Sequence, residues 1–112
     1  MESDVISGIN LKGSLPALIL ETLTRGPSHG YEIAQTIKRK SAGVLDFKEG
    51  TLYPALHTLE RDGLISASET LENGRTRRTY TLTEKGLKNL AEERQQWQAY
   101  SGAITGILGG AS

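Results

Sequence analysis

The chain has 112 residues, 37% hydrophobic and 23% charged, and its 13 basic and 13 acidic side chains cancel to zero formal net charge, so it holds one modest core and its bulk charge says nothing about a polyanionic partner. It has no cysteine, and its two histidines, His29 and His57, lie far apart, which excludes disulfides, thiolate zinc sites and any recognisable metal-ligand spacing. No apolar run approaches the ~20 residues that would span a bilayer.

Residues 1–10 are polar and patternless and are expected to form a flexible arm. Met1-Glu2-Ser3-Asp4 places acids where a secretory signal would carry lysine or arginine, so a cytoplasmic protein is expected. Leu11, Leu15, Leu18, Ile19, Thr22 and Leu23 recur at helical spacing and predict a first helix, with Pro16 tolerable only near its first turn and Gly26-Pro27 as its stop. A second helix begins around Ser28 or His29. Tyr31, Ile33, Ala34 and Ile37 form its inner stripe, and Ser41-Ala42-Gly43 ends it. Val44, Leu45 and Phe47 make either a brief strand or a loop plugged into the core.

A third helix is expected from Glu49 to about Asp62, with Leu52, Ala55, Leu56 and Leu59 on one face and Gly63 as a left-handed cap. Pro54 inside it calls for a local distortion, because proline gives no N–H and crowds the preceding turn. After Gly63 the period changes to two. Leu64 and Ile65 open a strand, Asn73-Gly74 suits a tight hairpin turn, and the return strand carries Thr76, Arg78, Tyr80 and Leu82 on one face and Arg75, Arg77, Thr79 and Thr81 on the other. Thr83 followed by Glu84 reads as a helix N-cap. Beyond it Leu87, Leu90, Arg94, Trp97, Ser101, Ile104 and Leu108 fall at alternating steps of three and four, a heptad-like seam. Glycines at 102, 106, 109 and 110 are expected to fray the helix after Leu108.

Three helices, a two-stranded hairpin and a long terminal helix predict a mainly helical α+β fold: a winged helix-turn-helix over residues 11–82 and a C-terminal dimerisation helix over 83–112. The third helix divides its labour. Its leucines hold it to the domain, while Lys48, Thr51, Tyr53, His57, Thr58 and Arg61 offer donors and acceptors of a size to reach base edges and phosphates in a major groove. Its N-terminus adds backbone N–H groups and a positive dipole. Arg75, Arg77 and Arg78 on the wing suit the concentrated negative potential of a minor groove. Tyr53 is read as a phosphate contact in preference to a half-buried ring, whereas Tyr31 and His57 stand equally well as DNA contacts or as ordinary surface or boundary side chains. A second basic cluster, Lys38-Arg39-Lys40, reads as solvated surface.

The runs His29-Gly30-Tyr31-Glu32-Ile33, Gly50-Thr51-Leu52-Tyr53-Pro54-Ala55-Leu56, Leu59-Glu60, Gly63-Leu64-Ile65, Gly74-Arg75 with Arg77-Arg78 and Tyr80, and Leu82-Thr83-Glu84 with Gly86 resemble the PadR family of regulators, across about Leu11 to Leu108. Departures are Lys48-Glu49, where the family often has Ser-Pro, and Thr79-Tyr80-Thr81, where a double tyrosine is more usual. The resemblance is to the short members with a single terminal helix. It implies a DNA-binding transcriptional regulator, a repressor in kind, with homodimerisation through the terminal helix and release of DNA when an effector binds or conditions change; the two-fold symmetry of such a dimer calls for an inverted-repeat operator. On the seam, the dimer contacts expected are Leu87, Leu90, Trp97, Ile104 and Leu108. Trp97 also matches the position where some short members line a pore for flat aromatic molecules; plain hydrophobic bulk at the interface explains it as well. No constellation for catalysis is present, and no cofactor or metal is expected. A winged helix serving protein contacts alone should show a more apolar centre on the third helix.

Overall fold

A computed structural model describes residues 14–109; the expected arm at 1–10 and Leu11 of the first helix lie outside them. Helix α1 (Leu15–Leu23) is short and apolar and puts Leu15, Ile19, Leu20 and Leu23 into the core. Pro16 sits in its first turn, where a missing N–H breaks no helical bond. Helix α2 (Gly30–Lys40) buries Ile33 and Ile37, and helix α3 (Glu49–Arg61) buries Leu52, Leu56 and Leu59, one residue per turn on the face turned inward. Between them Leu45 and Phe47 pack against the core as a loop while Val44 stays exposed, which settles the open choice in that stretch.

Pro54 lies within α3, so the carbonyl of Gly50 receives no N–H from it, yet the helix runs through as a single element. Its end is a Schellman turn. Gly63 takes φ +78°, its N–H donates to the Glu60 carbonyl at 3.0 Å, and the Leu64 N–H donates to the Leu59 carbonyl at 2.9 Å. The chain thus leaves α3 directly into strand β2 (Ile65–Glu72), turns at Asn73-Gly74 and returns as β3 (Arg75–Leu82). Both turn residues have positive φ, +51° and +77°, the conformation that matches the twist of a hairpin.

The sheet has a third strand that the periodicity did not announce. Residues Ser28–His29 form β1, paired antiparallel with β3 through Ser28↔Tyr80 and His29↔Thr79, and the strand order is β1-β3-β2. Two residues are too few to show a period of two, so only the tertiary pairing reveals them. A second difference concerns Tyr31, expected on the inner stripe of α2. It is 68% exposed, and Gly30 takes the buried position beside it.

Helix α4 (Glu84–Leu108) is capped by Thr83, whose Oγ1 accepts from the Gly86 N–H at 3.0 Å and donates to the carbonyls of Gly63 and Leu64. It ends at Gly109 in the left-handed conformation, where the glycine-rich tail was expected to stop it. Only its first two turns join the core, through Gly86 and Leu90, and Arg94 pairs with Glu21 of α1 through Nε at 2.9 Å. No residue of 91–108 is buried, although Trp97, Ile107 and Leu108 are large and apolar. The helix runs about 37 Å at 1.5 Å per residue.

Candidate nucleic-acid interface

Helix α3 reaches the surface because its leucines hold one face down. Thr51, Pro54, His57, Thr58 and Arg61 are therefore all exposed along the other. Gly50 has open space where a side chain would stand, so a backbone could approach the first turn closely. Lys48 caps the helix in an extended conformation and its Nζ sits 3.2 Å from Asp46 Oδ2, with Lys38 Nζ 3.6 Å from the same oxygen. The Lys48 ammonium, and then Lys38, hold the Asp46 carboxyl below the usual carboxylate range. All three groups are exposed, so a phosphate would compete with Asp46 for both cations.

The two tyrosines differ in exposure. Tyr53 is half-buried, and a Cβ added at Gly30 would fall 2.6 Å from its hydroxyl oxygen. The ring lies over the start of α2 and sets how closely α2 and α3 cross, a packing role at the edge of the exposed face rather than within it. Tyr31, in the first turn of α2, holds its ring out to solvent. Of the pair, Tyr31 is the one whose hydroxyl is free to reach outward.

The wing separates its arginines by face. Arg75 and Arg77 lie on the outer face, next to the turn. Among the described residues Arg75 has no ion pair, and Arg77 comes within 3.9 Å of Glu72. Arg78 points the other way, toward α3, and its Nη2 donates to both carboxylate oxygens of Glu60 at 3.0 and 2.8 Å. Glu69 lies 3.9 Å from its Nη1, and its guanidinium carbon stands 6.0 Å from the Tyr80 ring centroid. Sequence reasoning placed Arg78 with the DNA contacts; the structure gives its charge to Glu60. The partner could not be read locally, because it lies 18 residues away on another element.

His29, read from the sequence as a possible start of α2, has further partners. It caps α2 in a reciprocal box with Glu32, bonds Thr79 Oγ1 through Nδ1 at 3.3 Å, and lies 3.7 Å from Glu72 through Nε2. The His29 N–H holds the Glu32 carboxyl below its ordinary range.

A separate groove of about 820 Å³ opens between α1, the 41–45 loop and α4. Leu18, Val44, Leu45, Leu90, Trp97 and Tyr100 give it apolar walls, and Glu21 and Arg94 lie at it as an ion pair. Trp97 and Tyr100 stand with ring centroids 5.7 Å apart. Of the residues expected on the terminal seam, Leu90 faces its own core, Ile104 is partly covered, and Leu87, Trp97 and Leu108 are exposed.

An exposed third-helix face flanked by an arginine-tipped hairpin is the arrangement of a winged helix-turn-helix, and residues 19–92 match the transcriptional regulator PadR-like family. The chain belongs to the PadR-like family. A transcriptional regulator of Mycobacterium tuberculosis is 38% identical to it over 78 residues, 70% of either chain. The transcriptional regulator YqjI of Escherichia coli is 37% identical over 84 residues; these are 75% of this chain but only 39% of that protein. A solved transcriptional regulator of Clostridium thermocellum superposes with a TM-score of 0.80 at 32% identity, over 85% of this chain and 93% of the other. The chain spans about two fifths of the length of YqjI; its family is one of transcriptional regulators, which implies DNA binding. Among the described residues no helix is long and apolar enough to cross a membrane.

Proposed function

We propose that this PadR-like chain is a homodimeric repressor, working in the cytoplasm, that reads an inverted-repeat operator through α3 and is released by a small aromatic effector. The observation that carries the reading is the division of exposed surface. One end of the chain offers Thr51, His57 and Lys48 on α3 with Arg75 and Arg77 on the wing; the other offers an α4 whose residues 91–108 have no buried member. A helical segment of that length is marginal alone in water and gains its stability from packing an apolar side. A second copy supplies that packing most simply, with Trp97, Ile104 and Leu108 as contacts and Leu87 at the margin.

On this reading Thr51 and His57 face base edges, Lys48 and Tyr31 reach phosphates, Tyr53 holds α3 in place, and the wing arginines lie along the backbone or minor groove. Segment 1–10, the DNA-binding part at 11–82 and the dimerisation part at 83–112 then act as three functional parts. The groove beside Trp97 and Tyr100 is the place for a flat aromatic effector, because it joins apolar walls to a small number of polar groups. Binding there would bear on α1 and α4 together and so on the spacing of the two α3 helices.

Selection of duplexes from random DNA, followed by footprinting and sedimentation, tests this. A symmetric site with half-site centres about one helical turn apart, bound by two copies, is expected. Tight binding of one asymmetric half-site by a single copy would refute it.

A further inference from the structure

The outer part of the wing has little to hold it. Residues 68–78 are all exposed, and a two-stranded ribbon with both faces in water is marginal by itself. Yet a wing can add to recognition only if it keeps a fixed pitch against the helix in the neighbouring groove. Among the described residues, the ties between this ribbon and α3 converge on one guanidinium. Arg78 forms a two-pronged bond to Glu60, in the last turn of α3, and reaches Glu69 on the neighbouring strand. Glu60 is itself held firmly: it follows the buried Leu59, and its carbonyl accepts the Gly63 N–H in the Schellman turn. Below, the ring of the buried Tyr80 floors the guanidinium. With two acids around it, Arg78 has little positive charge left for a phosphate, in contrast to Arg75.

We propose that Glu60 and Arg78 are a positioning pair that sets the angle between wing and α3, so that both engage one half-site, and that Arg78 touches no phosphate. The inference rests on the DNA-reading role proposed above. The geometry suits the task, since Nη2 spans both oxygens of Glu60 while Nη1 faces Glu69, so the planar guanidinium is held in direction as well as distance. The pair is partly exposed, so it stabilises the fold little; its effect appears where the wing's position counts.

The test uses the full chain and a duplex selected by the wild-type protein. Glu60→Gln should weaken binding about fivefold, Arg78→Ala about as much, and the double variant no more than either, because one pair is broken in each case. In an Arg75→Ala, Arg77→Ala background, where the wing's own phosphate contacts are already gone, Arg78→Ala should leave the slope of log affinity against log salt unchanged, since Arg78 itself touches no phosphate. Arg78→Lys, which keeps the charge but not the fork, should recover part of the loss. Hydroxyl-radical footprints should lose the sugars protected by the wing and keep those protected by α3. Amide exchange of 75–79 in the free protein should quicken in Glu60→Gln. Tighter binding and a steeper salt slope in Glu60→Gln would mean that the freed Arg78 is a phosphate ligand, and would overturn the proposal. So would wild-type binding and footprint in both single variants. Failure of the wild-type protein to select any duplex would instead refute the DNA reading, and the pair's role with it.

Discussion

Gly86→Ala is the most demanding test of the packing, because two effects of opposite sign compete. In a helix, alanine is favoured over glycine by about 1 kcal/mol, so propensity alone predicts a more stable protein. The tertiary structure predicts the reverse. A Cβ at Gly86 would lie 2.0 Å from the Leu64 carbonyl oxygen and 2.8 Å from Leu82 Cδ1, where ordinary contact begins at 3.4 Å. The Leu64 oxygen cannot yield cheaply, since it accepts the Thr83 N–H at 3.2 Å and the Thr83 hydroxyl at 3.0 Å. Helix α4 must back away by more than an ångström or unwind its first turn, and either route loosens the Thr83 cap and the seat of Leu90. Overpacking at about 1–3 kcal/mol and a lost cap at about 1 kcal/mol outweigh the propensity gain, leaving a net loss of about 1–3 kcal/mol. For a domain of this size that lowers Tm by roughly 5–20 °C. Thermal unfolding at one fixed protein concentration measures it, with Gly102→Ala as the contrast: open space surrounds Gly102, so there the same change should raise Tm. A Gly86→Ala protein as stable as wild type would show that α4 does not sit on Leu64 as described.

Arg75→Ala with Arg77→Ala should lower the salt slope of operator binding by about one unit per lost phosphate contact while leaving base preference alone; an altered preference at constant slope would exchange the roles of wing and helix. Trp97→Ala should raise the dissociation constant of the proposed dimer by at least about tenfold, as truncation of a central aromatic anchor does, and sedimentation would show it; an unchanged dimer would place the interface elsewhere. Glu32→Gln tests the box at the start of α2. Because the folded protein holds this carboxyl below its ordinary range, its contribution is present above that range and is lost as pH falls through the folded value. The stability gap between wild type and variant should therefore be visible near neutral pH and close in acid, and, with the group exposed, it should not exceed about 0.5 kcal/mol.

Much of this molecule is legible in its sequence because the deciding forces are local. Leucines at steps of three and four place α3, Gly63 and Asn73-Gly74 have φ values that favour their residue types, and Thr83 with its first-turn acid starts α4. The helices, the hairpin turn and the exposed face of Thr51 and His57 follow from such rules. What only the tertiary structure decided involves partners distant in sequence. The strand at Ser28–His29 exists because β3 offers it hydrogen bonds. Gly30 is buried and Tyr31 exposed because Tyr53 occupies the space beside Gly30. Leu90 leaves the terminal seam because α1 and the rest of the core lie against it, and Arg78 turns toward α3 because Glu60 stands within reach. A heptad pattern or an arginine at a hairpin tip records that a side chain wants a partner. Which partner it finds depends on distances that close only when the chain has folded.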